Sequence, residues 1–346
     1  MLQTISRCIA KYIACKDLRT EAEEIAKECK ISTKTYWAII SRLRSNPYKY
    51  WPQHIRDIRP LGLATIIVRG KKHLPEVKDV EDLKRTNVPL YRYMHSYRET
   101  FDGATIYSYF APQNLIDDFM DVLEQLGDVD YGYTIPVRPQ CDNTGNRQDA
   151  TLFVPSLPSR ISRMLALLIY ALLDLSPLAR LSELLDIAPV LRERLSITNT
   201  RYRLHMGKVV KTYMRLSESR LLGRVLLLLL ALKTERPIPM YIEVKRECSQ
   251  HLYEVAAETW SAPSIFIGKN VAATVMVLPD ELSQKVKDRL KECITHANIV
   301  TRGFGTTLPI EMYDPCKREW KLQEQPLLKN IAVFLKRKDS GRLCQL

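Results

Sequence analysis

Apolar residues Ile5, Ile9, Tyr12 and Ile13 recur at the spacing of a helix with one buried face. A second helix is predicted from about Thr20, where Thr20 and Glu23 form a capping box ahead of Ile25 and Ala26. Ser32 then caps a third helix over 33–44, with Tyr36, Ile40 and Leu43 at core spacing and Ile31 beneath them. Three short helices with a tight turn before the last predict a helix-turn-helix, and the segment 46–52 follows as a wing. After Gly62 the periodicity changes. Strands are predicted over 63–68, 90–98, 104–110 and 129–137, with helices over 77–85 and 114–126. This βαββαβ order predicts a ferredoxin-like sandwich, a sheet with its helices on one face.

The pattern then returns. Ile5-Ser6-Arg7 has a counterpart in Ile161-Ser162-Arg163, Arg59-Pro60-Leu61-Gly62 in Arg220-Leu221-Leu222-Gly223, and Leu90-Tyr91 in Leu252-Tyr253. The co-linear order of these matches predicts a tandem duplication. In the second copy, 197–209 aligns with 31–43. Its sheet domain is read as strands over 224–232, 252–259, 271–278 and 299–307, with helices over 242–250 and 281–293.

The predicted class is therefore α+β, with two copies of a winged helix-turn-helix followed by a ferredoxin-like domain. Boundaries fall at 1–60 and 61–140 for the first copy, 141–157 for a polar, turn-rich linker, 158–222 and 223–316 for the second copy, and 317–346 for a basic tail. The net charge is +13, and the surplus collects in 1–60, in 158–223 and in the tail, the distribution of modules that meet a polyanion. No apolar run reaches the ~18 to 20 residues of a membrane span, and no secretory signal is evident, so a cytoplasmic protein with no membrane partner is expected. The eight cysteines form no CxxC and no set at metal-ligand spacing. They are read as buried thiols, and no metal or cofactor is expected.

On the third helix the core spacing leaves Thr33, Lys34, Thr35, Trp37, Ser41 and Arg42 outward, a face suited to a major groove, with Lys49 of the wing near a phosphate. The matching helix of the second copy would present Asn199, Thr200, Arg201, Arg203 and Lys208. Gly207 weakens that helix by about 1 kcal/mol relative to Ala.

A helix-turn-helix ahead of a βαββαβ domain resembles the Lrp/AsnC transcriptional regulators, especially the archaeal ones. The residues that carry the likeness are Glu24-Ile25-Ala26-Lys27-Glu28-Cys29-Lys30-Ile31-Ser32 with Thr35, Ile40 and Leu43, then Leu61-Gly62-Leu63. The resemblance implies a non-enzymatic regulator that binds double-stranded DNA at an imperfect palindrome, a small-molecule effector, and homo-oligomers through the sheet domains. The family's effector turn reads Thr100-Phe101-Asp102-Gly103-Ala104 here, so no effector-binding residue is carried over.

Two alternatives stand beside it. Siroheme decarboxylases are similar in domain combination, and Arg92, His95 and Arg98 offer groups that hold tetrapyrrole carboxylates and donate a proton. The other is an assembly scaffold whose helix-turn-helix units bind no DNA. No Walker loop, GxGxxG, GxSxG or HExxH occurs, so nucleotide hydrolysis, dinucleotide chemistry and zinc proteolysis have no motif behind them.

Overall fold

A computed structural model describes residues 22–45, 52–70, 93–124, 127–137, 238–259, 261–278 and 280–305, with shorter pieces within 8–9, 156–170, 211–226 and 308–320. Near the N-terminus, helices α1 (Ala22–Glu28) and α2 (Thr33–Ser45) pack around Ile9, Ile25, Ala26, Cys29, Tyr36 and Ile40. Lys30, at φ 54°, makes the left-handed turn between them, and the Ile31 amide closes it onto the Ala26 carbonyl at 2.9 Å. Ser32 caps α2, its Oγ accepting the Thr35 amide at 3.1 Å. Cys8 and Cys29 form a disulfide rather than the free thiols expected.

After α2 comes strand β1 (Pro52–Arg56), and a short 3-10 turn at Arg59–Leu61 ends on Gly62 at φ 76°. The chain then builds β2 (Leu63–Gly70), β3 (Met94–Thr100), β4 (Thr105–Pro112), α3 (Ile116–Leu123) and β5 (Asp128–Pro136). Strand β6 (Leu222–Leu226) precedes β7 (Ile238–Lys245), α4 (Ser249–Thr259), β8 (Ser264–Gly268), β9 (Val271–Leu278), α5 (Asp280–Arg289) and β10 (Ile294–Gly305). A small hairpin of β11 (Tyr313–Asp314) and β12 (Glu319–Trp320) follows.

Eight of these strands close into one antiparallel barrel in the order β10-β3-β4-β2-β5-β8-β9-β7. Each half of the chain supplies four neighbouring strands, and the halves are stitched at two seams. Val300 lies opposite Thr100 where β10 meets β3, and Thr134 lies opposite Phe266 where β5 meets β8. Alternation then sorts side chains inward or outward. Met240, Ile242, Val244, Ala272 and Met276 point outward and bury against Leu252, Val255 and Ala256 of α4 and Val286 and Leu290 of α5. In the first half, Tyr93 and Tyr109 stand edge-on to Phe119 of α3.

The barrel corrects the expected fold class. Among the described residues there are not two winged-helix units each followed by its own ferredoxin-like sandwich. Sheets of that kind would leave rows of backbone N–H and C=O unpaired at four edges, and closure removes every one of them. Among the described residues one helix pair, α1–α2, is present ahead of the barrel. Strand β1 pairs with β6 of the other half, with Ile55 opposite Gly223, so Gly223 belongs to this two-stranded ribbon and is not the counterpart of Gly62.

The second half also departs locally from the pattern reading. The leucine run after Arg224 drew the first strand too early; the first barrel strand is Ile238–Lys245. The segment read as a strand over 252–259 lies in helix α4, where Leu252, Val255, Ala256 and Thr259 follow helical spacing on one face. No helix among the described residues is long and apolar enough to cross a membrane.

Candidate functional site

Inside the barrel, Ile106, Tyr241, Phe266 and Ala273 are buried together, with Ile67, Val271, Val275 and Val300 around them. An eight-stranded barrel has an interior just wide enough to be filled by side chains or to hold one small ligand group. The polar groups that share this space are therefore few and close.

Glu243 on β7 is a buried carboxylate among them. It accepts hydrogen bonds from the Arg69 guanidinium, the Tyr241 hydroxyl and the Thr295 hydroxyl, each at 3.0 Å. Arg69 reaches it from β2, four places away in a ring of eight, so this ion pair spans the lumen. Burial, with the Glu243 charge added to it, raises Tyr241 well above the ordinary tyrosine range.

On β3 a register shift between Met94 and Ser96 changes which side chains line the barrel. In an uninterrupted strand, His95 and Arg98 would point to opposite faces. With the bulge, the His95 ring stacks on Phe110 of β4 at 3.9 Å, and Arg98 donates to Ser96 Oγ at 2.7 Å, both on the inner side. Tyr97 and Glu99 lie outward; the Tyr97 hydroxyl donates to the Glu99 carboxylate, and burial together with that carboxylate holds its proton more tightly than usual. Arg98 has no carboxylate partner among the described residues. Its burial lowers it from the usual arginine range to about 10, against a smaller opposing effect of Tyr241.

The two seams carry different chemistry. At the β5–β8 seam, Asp130 accepts three backbone amides of the β8–β9 turn, from Lys269, Asn270 and Val271, each at 3.0 Å. At the β10–β3 seam the carboxylate sits in the β3–β4 turn itself. Asp102 accepts the Thr100 hydroxyl at 2.5 Å and the Ala104 amide at 3.3 Å, and His296 Nε2 of β10 lies 3.7 Å away. The Thr100 hydroxyl above all, with His296 and Asn298 adding to it, lowers Asp102 below the usual carboxylate range.

The residues expected to face DNA are scattered by comparison. Lys34, Thr35 and Ser41 are exposed on α2, and Thr33 is half-buried. Trp37 packs against the helix-pair core, edge-on to Tyr36. Arg42 lies on α2. Lys49, Asn199, Thr200, Arg201, Arg203 and Lys208 lie outside the described residues, as does Arg92. The pattern reading missed Arg69, Tyr241, Glu243, Asp130 and His296. The available signal was parity: Ile67 with Arg69 and Tyr241 with Glu243 sit two apart on strands, one face apolar and then charged.

No protein-family model and no curated protein matches the chain. Among solved structures it is similar to that of the siroheme decarboxylase NirDL, at 13% identity and TM-score 0.43, covering 88% of this chain and 93% of that one. It is also similar to NirDL in co-complex with an iron-uroporphyrin III analogue, at 14% identity and TM-score 0.41 with the same coverage. The expected non-enzymatic, DNA-binding transcription regulator built of two winged helices is corrected by the closed barrel into which the described strands fold.

Proposed function

We propose that the chain is an enzyme of the siroheme-decarboxylase kind, which takes a carboxylate arm of a tetrapyrrole at the barrel wall carrying His95 and Arg98. The observation that supports this reading is the β3 bulge, which turns both groups to the inner side of one strand. Buried Ile106, Tyr241 and Phe266 occupy the lumen, so in this reading the macrocycle stays outside the barrel and only the arm approaches Arg98. Loss of carbon dioxide converts R–CO2⁻ and a proton to R–H and CO2. The bond between the carboxyl carbon and R breaks, its electron pair stays on R, and the proton is delivered there. Arg98 orients the carboxylate by charge-assisted hydrogen bonds, and His95 supplies the proton from the same face.

The test is titration of the full chain with iron-uroporphyrin III, followed in the Soret band, with carbon dioxide release assayed separately. Arg98→Met is expected to weaken binding by about 10- to 100-fold, the loss of one charge-assisted contact. His95→Ala is expected to keep binding and lose turnover. An unchanged Soret spectrum, or equal affinity in Arg98→Met, overturns the reading.

A further inference from the structure

Because the two halves cross the barrel in the same order, register assigns positions of one half their equivalents in the other. Arg69 faces Ile106 on β4 as Glu243 faces Ala273 on β9. Asp128, opposite Arg69, then corresponds to His296, opposite Glu243, and Asp130, opposite Ile67, corresponds to Asn298, opposite Tyr241. The two seams share one plan and carry different side chains.

Each seam holds a turn of one half against a strand of the other. The Lys269 amide donates to the Tyr131 carbonyl at 3.1 Å, and the Phe101 amide to the Ile299 carbonyl at 2.9 Å. At the β5–β8 seam the turn is fixed by Asp130, whose three donors are backbone amides and do not change charge. At the β10–β3 seam the carboxylate belongs to the turn. Asp102 is tied to its own turn through Thr100 and Ala104, and to β10 through the Asn298 side-chain amide.

The remaining neighbour of Asp102 on β10 titrates. His296 Nε2 is shut off from solvent, has no hydrogen-bond partner among the described residues, and lies 3.7 Å from Asp102 Oδ2. That separation allows an ion pair but is too long for a hydrogen bond. The other charged groups around the ring are engaged elsewhere or repel a cation. From β7, Tyr241 meets the ring at 5.9 Å, and Glu243 already accepts Arg69 of β2, Tyr241 and Thr295. On β3, Arg98 places a positive charge near Tyr241, while Glu99 turns outward to Tyr97. A proton arriving at His296 therefore finds its counter-charge in Asp102.

We propose that His296 and Asp102 form a proton-operated latch on the β10–β3 seam. When the ring is charged, Nε2–H donates to Asp102 Oδ2, the gap closes, and the β3–β4 turn with its exposed Phe101 is drawn onto β10. When the proton leaves, the turn rests on Thr100, Ala104 and Asn298 alone. The β5–β8 seam has no such latch, because Asp128, in the place of His296, is an exposed carboxylate turned to Arg69. Histidine changes charge between about pH 5 and 8, so the latch closes as pH falls through that range. It opens again only where Asp102 takes a proton, which its lowered carboxyl postpones to more acid pH. The latch needs no ligand and is independent of the tetrapyrrole reading.

The test is an NMR titration of the full chain from about pH 8 to about pH 5. The amide signals of Phe101, Gly103 and Ile299 are expected to move together in one step, while those of Lys269, Asn270 and Val271 stay in place. Protection of the Phe101 amide from hydrogen exchange, corrected for the intrinsic rate, is expected to rise about fivefold across the step, the size of a partly exposed ion pair. The step is expected to vanish in His296→Gln and in Asp102→Asn, the second of which keeps an acceptor for the Thr100 hydroxyl. Circular dichroism confirms that each variant folds; if His296→Gln does not, Asp102→Asn decides. A parent chain without the step, a step retained in Asp102→Asn, or equal steps at both seams overturns the proposal.

Discussion

Arg69 and Glu243 meet at 3.0 Å from strands on opposite sides of the barrel, and by register they are equivalent positions of the two halves. Two identical halves would bring like charges together there. One covalent chain lets the two positions differ, and they differ as cation and anion.

The pair makes a direct prediction. Glu243 is buried while Arg69 is about a third exposed, so removing one partner costs less than for a fully buried pair. Arg69→Met is expected to lower stability by about 3 kcal/mol, and Arg69→Met with Glu243→Met to recover most of that. Urea unfolding of the four variants of the cycle checks it; additive losses would show that the pair does not couple.

Asp130 supports the β8–β9 turn through three amides. Asp130→Ala strands those donors, and a loss of about 2 kcal/mol is expected. Hydrogen exchange at Lys269, Asn270 and Val271 should quicken in the variant while exchange in β2 and β4 is unaltered.

Among the described residues two disulfides tie remote elements: Cys8–Cys29 across 21 residues in the helix pair, and Cys248–Cys293 across 45 residues between the start of α4 and the end of α5. Loop-closure entropy alone gives about 3 and about 4 kcal/mol respectively. Thermal unfolding with and without reductant should differ, and Cys248→Ala with Cys293→Ala should reproduce the larger share without reductant. An unchanged midpoint in both experiments contradicts the prediction.

Asp102 gives a pH dependence whose sign is fixed. Its carboxyl is lowered in the folded chain, so its contribution is fully present above the ordinary aspartate range and is lost as pH falls through the lowered value. Asp102→Asn should be less stable than the parent near neutral pH, and the difference should narrow below about pH 4.

Trp320 fastens the end of the described chain to the 3-10 turn that leads into β2. The indole N–H donates to the Leu61 carbonyl at 2.9 Å, and the ring meets Tyr93 and Tyr313 edge-on. Trp320→Phe is expected to cost about 1 kcal/mol for the lost hydrogen bond, and Trp320→Ala about 3 to 5 kcal/mol for the lost ring. Chemical denaturation measures both.

Much of the local structure was legible because it depends on near neighbours. The Ser32 cap and the helix after it, the strand entering at Leu63, the amphipathic helix ending at Leu123 and the strand over Val271–Leu278 all follow from spacing within a dozen residues. What the pattern hid is long-range. Nothing local to Thr100 says that Val300 will lie opposite it, and without that seam the two sheets read as separate domains. The bulge at His95 was hidden too, because a register shift inverts facing without changing composition. In the second half the leucine run after Arg224 outweighed the shorter, mixed strand Ile238–Lys245, whose inward Tyr241 and Glu243 make it look less apolar than its position warrants.

Ring closure also sets an order on synthesis. As the chain leaves the ribosome, β2 through β5 emerge with β3 and β5 bare along one side each. β8 covers the second of these only after more than a hundred further residues, and β10, the last barrel strand made, covers the first. Until then the nascent first half carries two sticky strands into a crowded cytosol or lumen, so the interval between translating Pro136 and Gly305 is the one in which chaperone occupancy and misassembly with a neighbouring nascent chain should peak.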